Sequence, residues 1–311
     1  MTYTKSLIAN SQEKNRLRGV LLINKPSGLS SYDCIRKIKP IIPRIKIGHA
    51  GTLDPIANGL LIILFGEATK IAQYLSSLDK EYIAKIHLGI VTDTDDITGK
   101  IVKESSCEHI NAEDIKNAIN SLKDITTQQP PKYSALKHKG KRMYDLARKG
   151  IDFTPKPRTI EIKKIDLLSF NLPYFEIKTT VSKGTYIRAL ARDLGNILGC
   201  GATLEELTRT QIGKFKLKDA ISLIDINADL IRQKLYSINE SLAEIPSIMI
   251  SNSQIQKILK GQPLSISETL SQQMKNSLVR ILDEKDRVLI IGKLKNNIIY
   301  PDRLIYADIQ N

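Results

Sequence analysis

Between residues 48 and 60 the chain reads Gly-His-Ala-Gly-Thr-Leu-Asp-Pro-Ile-Ala-Asn-Gly-Leu, and it passes directly into the apolar stretch Leu60 to Phe65. Glycines permit turns that residues with a Cβ resist, and an aspartate before a proline is held away from the helical region. The apolar run behind the loop reads as a buried central strand, so Asp54 and His49 are displayed from a rigid edge. Leu-Asp-Pro by itself is an ordinary turn, because Asp and Pro are turn residues wherever they occur. The thirteen-residue combination is far more specific than the tripeptide.

Around this loop the hydrophobic spacing alternates between strand and helix. Residues 1–18 read as a flexible leader, Gly19 to Pro26 as a strand stopped by proline, and Ser30 and Ser31 as caps of a helix carrying Cys34, Ile35 and Ile38. Glu67 to Leu75 has helical spacing; Lys80 to Leu88 places Tyr82, Ala84, Ile86 and Leu88 on one face of a half-buried strand. Asp93 to Asp96 with Gly99 marks a hairpin turn. A calcium loop would need a central glycine and a twelfth-position glutamate that are not in place. Ala112 to Leu122 is an amphipathic helix, and about 128–157 is a basic, irregular insertion too long to be idle inside a compact domain. Strands over 158–170 and 174–181 lead through Ser182 to Arg188 into a helix over 189–198. A helical piece at 204–209 and a polar helical region at 218–243 follow. From Pro246 the pattern becomes a strand at 247–251, a helix at 252–259 and strands at 278–282, 288–294 and 298–305, similar to a PUA-like barrel.

Composition narrows the classes. Lys and Arg total 47 against 33 acidic residues, a formal charge of +14, which favours a polyanion: nucleic acid first, an anionic membrane second, with a Lys-rich composition as the neutral alternative. Cys34, Cys107 and Cys200 are isolated thiols, which fits a reducing, cytoplasmic setting better than a disulfide framework or a thiolate zinc site. The longest apolar run is far too short to cross a bilayer, and the first eighteen residues lack a secretory core. No phosphate-binding glycine loop, dinucleotide fingerprint, HExxH or GxSxG is present, and the four histidines have no metal-ligand spacing. A reaction without metal, nucleotide or other cofactor is expected.

The loop at 48–60 resembles the signature of the TruB family of RNA pseudouridine synthases. The resemblance extends to about residue 215 through Lys25-Pro26-Ser27-Gly28-Leu29-Ser30-Ser31, Lys80-Glu81-Tyr82, Pro131 to Lys137 with Gly140 and Tyr144 to Arg148, and Ser182 to Arg188 with Gly199 to Ala202. It implies an α/β (α+β) fold on a mixed, largely antiparallel sheet, with a catalytic domain at 19–245 and a small PUA-like β domain at 246–311. It also implies the activity: isomerisation of a uridine in the T-loop of tRNA (position 55) to pseudouridine, with tRNA as the partner and the protein expected to be a monomer. Two rivals are a guide-dependent pseudouridine synthase of a ribonucleoprotein and a non-catalytic tRNA-binding or tRNA-folding module of the same fold.

In the family the aspartate corresponding to Asp54 is the nucleophile. Proton transfer alone supplies about 10²–10⁴-fold, roughly 3 to 5 kcal/mol, against the 8 to 23 that enzymes typically supply, so a covalent step is needed. The sequence leaves open whether the carboxylate attacks C6 of the ring or C1′ of the sugar. Arg188 at a strand-to-helix junction is expected to hold Asp54 ionised and aimed through a bidentate contact, although an arginine there is equally compatible with pairing elsewhere. The resemblance makes Tyr82 the aromatic that stacks on the flipped base and a candidate proton acceptor, places Tyr186 and Leu207 in the base pocket, and sets His49 where the base has left the RNA loop. Lys25, Lys132, Lys183 and Arg209 are expected on the RNA-facing surface.

Overall fold

Two strands with unbroken apolar runs, Gly19–Lys25 and Asn58–Phe65, lie antiparallel with Ile23 opposite Leu61. Each is covered on both faces. Val20, Leu22, Leu60, Ile62 and Leu64 face one core, and Leu21, Ile23, Leu61, Ile63 and Phe65 face another, against the Ser31–Ile38 helix. A strand buried on one side alternates apolar and polar residues, so burial on two sides is the physical reason for the continuous run. The computed structural model describes residues 17–134, 136–138, 140–274 and 277–306. Most of the expected leader, residues 1–16, therefore lies outside the described residues. Leu17 and Arg18 are already packed, Leu17 against the second core and Arg18 over the Tyr306 ring.

The main sheet runs in the order Ile162–Asn171, Tyr174–Val181, Lys80–Leu88, Ala202–Ile212, Asn58–Phe65, Gly19–Lys25, Ile221–Ser222. It is mixed and largely antiparallel: the parallel pairings are Ala202–Ile212 with Asn58–Phe65, and Gly19–Lys25 with Ile221–Ser222. The Ala112–Leu122 and Ile187–Leu198 helices share a core with Tyr82, Ala84, Ile86 and Leu88, the alternating face of its strand. Burial of Leu190 and Leu194 in that core contributes about 1.5–3 kcal/mol each. Past the main sheet, a second sheet is ordered Ser247–Met249, Leu278–Leu282, Val288–Lys295, Ile298–Leu304, Leu264–Ser265. Leu282, Val288, Ile291 and Ile305 join the same core as Val20 and Leu60, and Tyr74 donates to Asp302 at 2.8 Å across the junction.

Two stretches differ from their sequence reading. Residues 204–209, expected to be helical, are the middle of the eleven-residue strand Ala202–Ile212. Register shifts between Leu204 and Glu206 and between Arg209 and Gln211 break its period of two, which leaves Leu204 and Leu207 buried three apart and mimics a helix. The polar region 218–243 is not one helical unit. Ile221 is captured opposite Ile23, and the Asn227 and Ser237 caps start two short helices, Ala228–Gln233 and Ile238–Ser241. Within 128–157, the Met143–Arg148 helix carries a small core of Met143, Leu146 and Phe153.

Gly59 has φ +103°, and a Cβ there would stand 2.4 Å from the Arg209 carbonyl oxygen and 2.8 Å from its nitrogen. Gly59→Ala combines left-handed strain with a backbone clash and is expected to cost about 3 kcal/mol or more. Gly51→Ala, at φ +93° but facing open space, should cost about 1–2 kcal/mol. Urea denaturation of the two variants checks the order; equal costs would contradict it.

Candidate active site

Asp54 stands on a loop whose carbonyls from Gly51 to Ile56 all accept hydrogen bonds. Ser31 Oγ accepts from Leu53 N at 2.8 Å and donates to Leu53 O; Gly28 N donates to Pro55 O, Ser27 Oγ to Ile56 O, and Ala57 N to Asp54 O. Two buried cations complete the frame. Lys25 Nζ donates to Leu29 O at 2.6 Å, Pro26 O at 2.9 Å and Pro55 O at 3.4 Å. Arg209 donates to Leu60 O at 2.8 Å, Thr52 O at 3.2 Å and Gly51 O at 3.4 Å. Leu53 and Ala57 turn inward and are buried, while the Asp54 side chain keeps 33% of its surface exposed. A fixed backbone with one accessible carboxylate is the result.

Lys25 and Arg209 therefore differ from their sequence reading. Their relative exposures are 0% and 1%, and their donors are spent on loop carbonyls rather than turned toward RNA phosphates. The physical reason is that buried carbonyls at a tight loop need donors, and a long cationic side chain reaches several at once. Burial pushes the Lys25 ammonium down to about 8, with nearby Asp54 among the smaller opposing influences.

The partner of Asp54 is Arg188, whose Nε donates to Oδ2 at 2.9 Å. The contact is single, not the bidentate fork expected from sequence. Both terminal nitrogens are engaged elsewhere: Nη1 donates to Thr94 O at 3.0 Å and lies 3.4 Å from Asp96 Oδ2, and Nη2 donates to Tyr133 O at 3.1 Å. Arg188 is the second residue of the Ile187–Leu198 helix, where the helix dipole disfavours a cation, so two carboxylates and two carbonyls offset that cost. Asp96 is itself fixed, its Oδ1 accepting from Thr94 Oγ1, Thr98 N and Thr98 Oγ1. One turn along the helix, Arg192 pairs with Asp95 at 2.8 Å and donates to Gln129 O at 2.9 Å; burial raises the Asp95 carboxyl against that pairing.

Tyr82 stands opposite Arg209 across the sheet and belongs to the same apolar cluster as Leu53, Ala57, Ile187 and Leu207. Tyr186 caps the helix start; burial pushes its phenol up, with the Ser134 hydroxyl opposing and Asp54 adding to the shift. His49 ends the short strand Ile47–His49; burial and then the Arg209 charge hold its imidazole below the ordinary value, and its Nδ1 is buried with no partner among the described residues. Lys183 is exposed beside the helix start, and Lys132 is exposed on the insertion, paired with Asp152 at 2.7 Å. Sequence reading missed Asp95, Asp96, Arg192 and Gln128. The available signal was two adjacent carboxylates in a turn and two arginines spaced four apart on one helix.

The arrangement is one partly exposed carboxylate aimed by a buried guanidinium, on a loop whose Leu53 and Ala57 pack in the same apolar cluster as Tyr82 and Leu207. That suits nucleophilic attack on a planar, uncharged group. Among the described residues no group of three His, Cys, Asp or Glu side chains could hold a metal ion, and no described helix is long and apolar enough to cross a membrane.

Comparison with known proteins gives three family matches. Residues 37–187 match the TruB family pseudouridylate synthase N-terminal domain, residues 188–249 the tRNA pseudouridylate synthase B C-terminal domain, and residues 246–305 the pseudouridine synthase II TruB C-terminal region. The chain is 40% identical over 278 residues to tRNA pseudouridine synthase B of Clostridium kluyveri, covering 89% of this chain and 96% of that one. The protein of the same name from Francisella philomiragia is 46% identical over 241 residues, covering 76% of this chain and 78% of that one. Among solved structures, a Cbf5-Nop10-Gar1 complex aligns with TM-score 0.71 and 24% identity, covering 94% of this chain and 87% of that one. An H/ACA ribonucleoprotein bound to a substrate RNA containing 2′-deoxyuridine aligns with TM-score 0.70 and 22% identity, covering 96% and 88%. At that identity the structural likeness establishes the fold alone.

The folded chain releases the Lys25 proton near pH 8, whereas the unfolded chain holds it to about 10.5. Across that window the unfolded state binds more protons, so this residue's contribution to stability rises with pH and is least favourable below pH 8. Urea denaturation of the protein and of Lys25→Met between about pH 7.5 and 10 should show the difference moving in favour of Lys25 by ~1–3 kcal/mol. A difference that is flat with pH would contradict the buried ammonium.

Proposed function

From a chain that belongs to the TruB family of pseudouridine synthases, we propose an enzyme that isomerises a uridine in the T-loop of tRNA, at position 55, with Asp54 as nucleophile. The family, and relatives that carry the name tRNA pseudouridine synthase B over most of this chain, support uridine-to-pseudouridine isomerisation in tRNA. The carrying observation for the mechanism is the Asp54–Arg188 pair: an accessible carboxylate fixed by a buried arginine at 2.9 Å.

The step breaks the N1–C1′ bond, turns the base and joins C5 to C1′. Carboxylate attack at C1′ holds the sugar while the base turns, and the new C5–C1′ bond displaces the carboxylate. Attack at C6 holds the turning base, and the carboxylate is eliminated after that bond has formed, as C5 gives up its proton. The proton at C5 then goes to a base and N1 gains one. Tyr82 supplies the stacking face and a candidate acceptor for that proton. Arg188 orients Asp54 and balances its charge when the carboxylate is free; Tyr186 and Leu207 line the base pocket, and His49 meets the loop the base has left.

Flipping the uridine costs a few kcal/mol and stacking on an aromatic returns about 1–3, so affinity rests mainly on phosphate contacts. With Lys25 and Arg209 inside the protein, those contacts fall to Lys183 and to the exposed cations of the insertion, among them Lys132, Lys141, Arg148, Lys149 and Lys156. The same reading divides the chain at residue 245 into a catalytic part and a PUA-like RNA-binding part, and makes the protein a cytoplasmic monomer that grips the T-arm. A guide-dependent role is less well supported: the relatives alike in sequence over most of the chain are named as tRNA enzymes, and the ribonucleoprotein likeness is one of fold.

Asp54→Asn should form no detectable pseudouridine in an unmodified tRNA transcript, read by mass mapping, while binding tRNA within roughly tenfold of the parent protein. Retained activity would refute the nucleophile; lost binding would point to a structural role. Six or so phosphate contacts should give log K a slope of about −4 to −5 against log[salt], lower than duplex DNA because loops are partly single-stranded. A flat salt response would contradict RNA binding through the basic insertion.

A further inference from the structure

Four helix starts in this protein cap themselves reciprocally, and the helix that carries Arg188 does not. The helices beginning at Ser31, Ala112, Ile238 and Asn252 each have a reciprocal capping box, in which the cap residue and the side chain three positions on satisfy each other's backbone. The Ile187–Leu198 helix, which carries Arg188, has Tyr186 as its cap with no side-chain hydrogen bond, and three positions on stands Ala189, which has nothing to offer. The missing partner comes from elsewhere in the chain. Gln128 Oε1 accepts from Tyr186 N at 2.9 Å, and Gln128 Nε2 donates to Tyr186 O at 3.1 Å.

Gln128 sits at the root of the basic insertion. The strand Thr127–Gln128 pairs antiparallel with Arg158–Thr159, Gln128 opposite Arg158, so the insertion leaves and re-enters the fold at this ribbon. Gln128 is 3% exposed, and the segment after it keeps touching the same helix: Gln129 O accepts from Arg192, and Tyr133 O from Arg188. A buried amide that uses both donor and acceptor on the N–H and C=O of one residue fixes the two peptide groups flanking that residue in position and in orientation. That residue, Tyr186, lies two positions before the guanidinium that aims Asp54.

We propose that Gln128 is a positioning residue for the isomerisation, a long-range cap that sets the first turn of the Arg188 helix from the insertion's root and so holds Arg188 against Asp54. The inference rests on the reading of Asp54 and Arg188 given above. Misplacement of a catalytic group by about 1 Å can cost on the order of 10²-fold in rate, whereas Gln128 itself is buried and offers no charge to a phosphate.

Two variants of nearly unchanged size test it under single-turnover conditions with saturating tRNA. Gln128→Met removes donor and acceptor and should lower the rate of pseudouridine formation about 10–100-fold, with tRNA affinity within threefold. Gln128→Glu supplies two acceptors when ionised but, when protonated, an acceptor and an O–H donor that restore both bonds. Its rate relative to the parent protein should therefore be low near pH 8 and rise at least fivefold toward pH 6, a recovery that a purely structural side chain would not produce. A Met variant within twofold of the parent rate, a loss confined to tRNA affinity, or a Glu-to-parent ratio flat with pH would each overturn the proposal. Should the Met variant fail to fold, the pH ratio of the Glu variant decides alone. A parent protein that forms no pseudouridine would sink the underlying reading as well, so the two failures are told apart.

Discussion

A single guanidinium gathers the parts of this site. Arg188 is reached by the carboxylate of Asp54 on its glycine-rich loop, the hairpin carboxylate of Asp96, the Thr94 carbonyl from that hairpin and the Tyr133 carbonyl from the basic insertion. Three segments far apart in the chain thus meet at one planar cation carried by a fourth. The fork geometry of arginine permits this, since its donors point in fixed directions that one point charge could not serve. The arginine also sits at the positive end of its helix, so the carboxylates around it hold the cation there as well as being held by it.

Behind the pair, the excess of positive charge plays two different parts. Exposed cations on the insertion and beside the helix start can meet a polyanion, but Lys25 and Arg209 are fully enclosed and act as multiple donors to the carbonyls of the loop. Enclosing a cation is costly unless its donors are filled, and here each finds carbonyl oxygens from the segment that must be rigid. The loop is stiff because its backbone is satisfied from both sides, which leaves the Asp54 side chain as its accessible charged group. The net charge of +14 therefore overstates the charge available to RNA.

Much of the architecture was legible because each element is locally consistent. The alternation at Lys80–Leu88, the amphipathic run Ala112–Leu122 and the continuous apolar stretch at Leu60–Phe65 each admit one reading, and the structure has those elements. Illegible stretches were those where tertiary pairing overrides local pattern. Bulges disguised the strand Ala202–Ile212 as a helix, and Ile221 became a strand residue because the edge at Ile23 was open to it. The hairpin carboxylates Asp95 and Asp96 looked like turn residues because nothing within the turn says that arginines stand over it.

By itself the sequence determined the loop that displays Asp54, those helices and strands whose pattern is locally unambiguous, and the resemblance that ties them to one reaction, because turns, periodicity and motif spacing are properties of neighbouring residues. Tertiary structure decided which cations face solvent and which are sealed under the loop, why Arg188 touches Asp54 through one nitrogen instead of two, and that Gln128 caps a helix almost sixty residues away. Those outcomes depend on donors and acceptors satisfied across the fold, and no local stretch of chain contains both halves of such a bond.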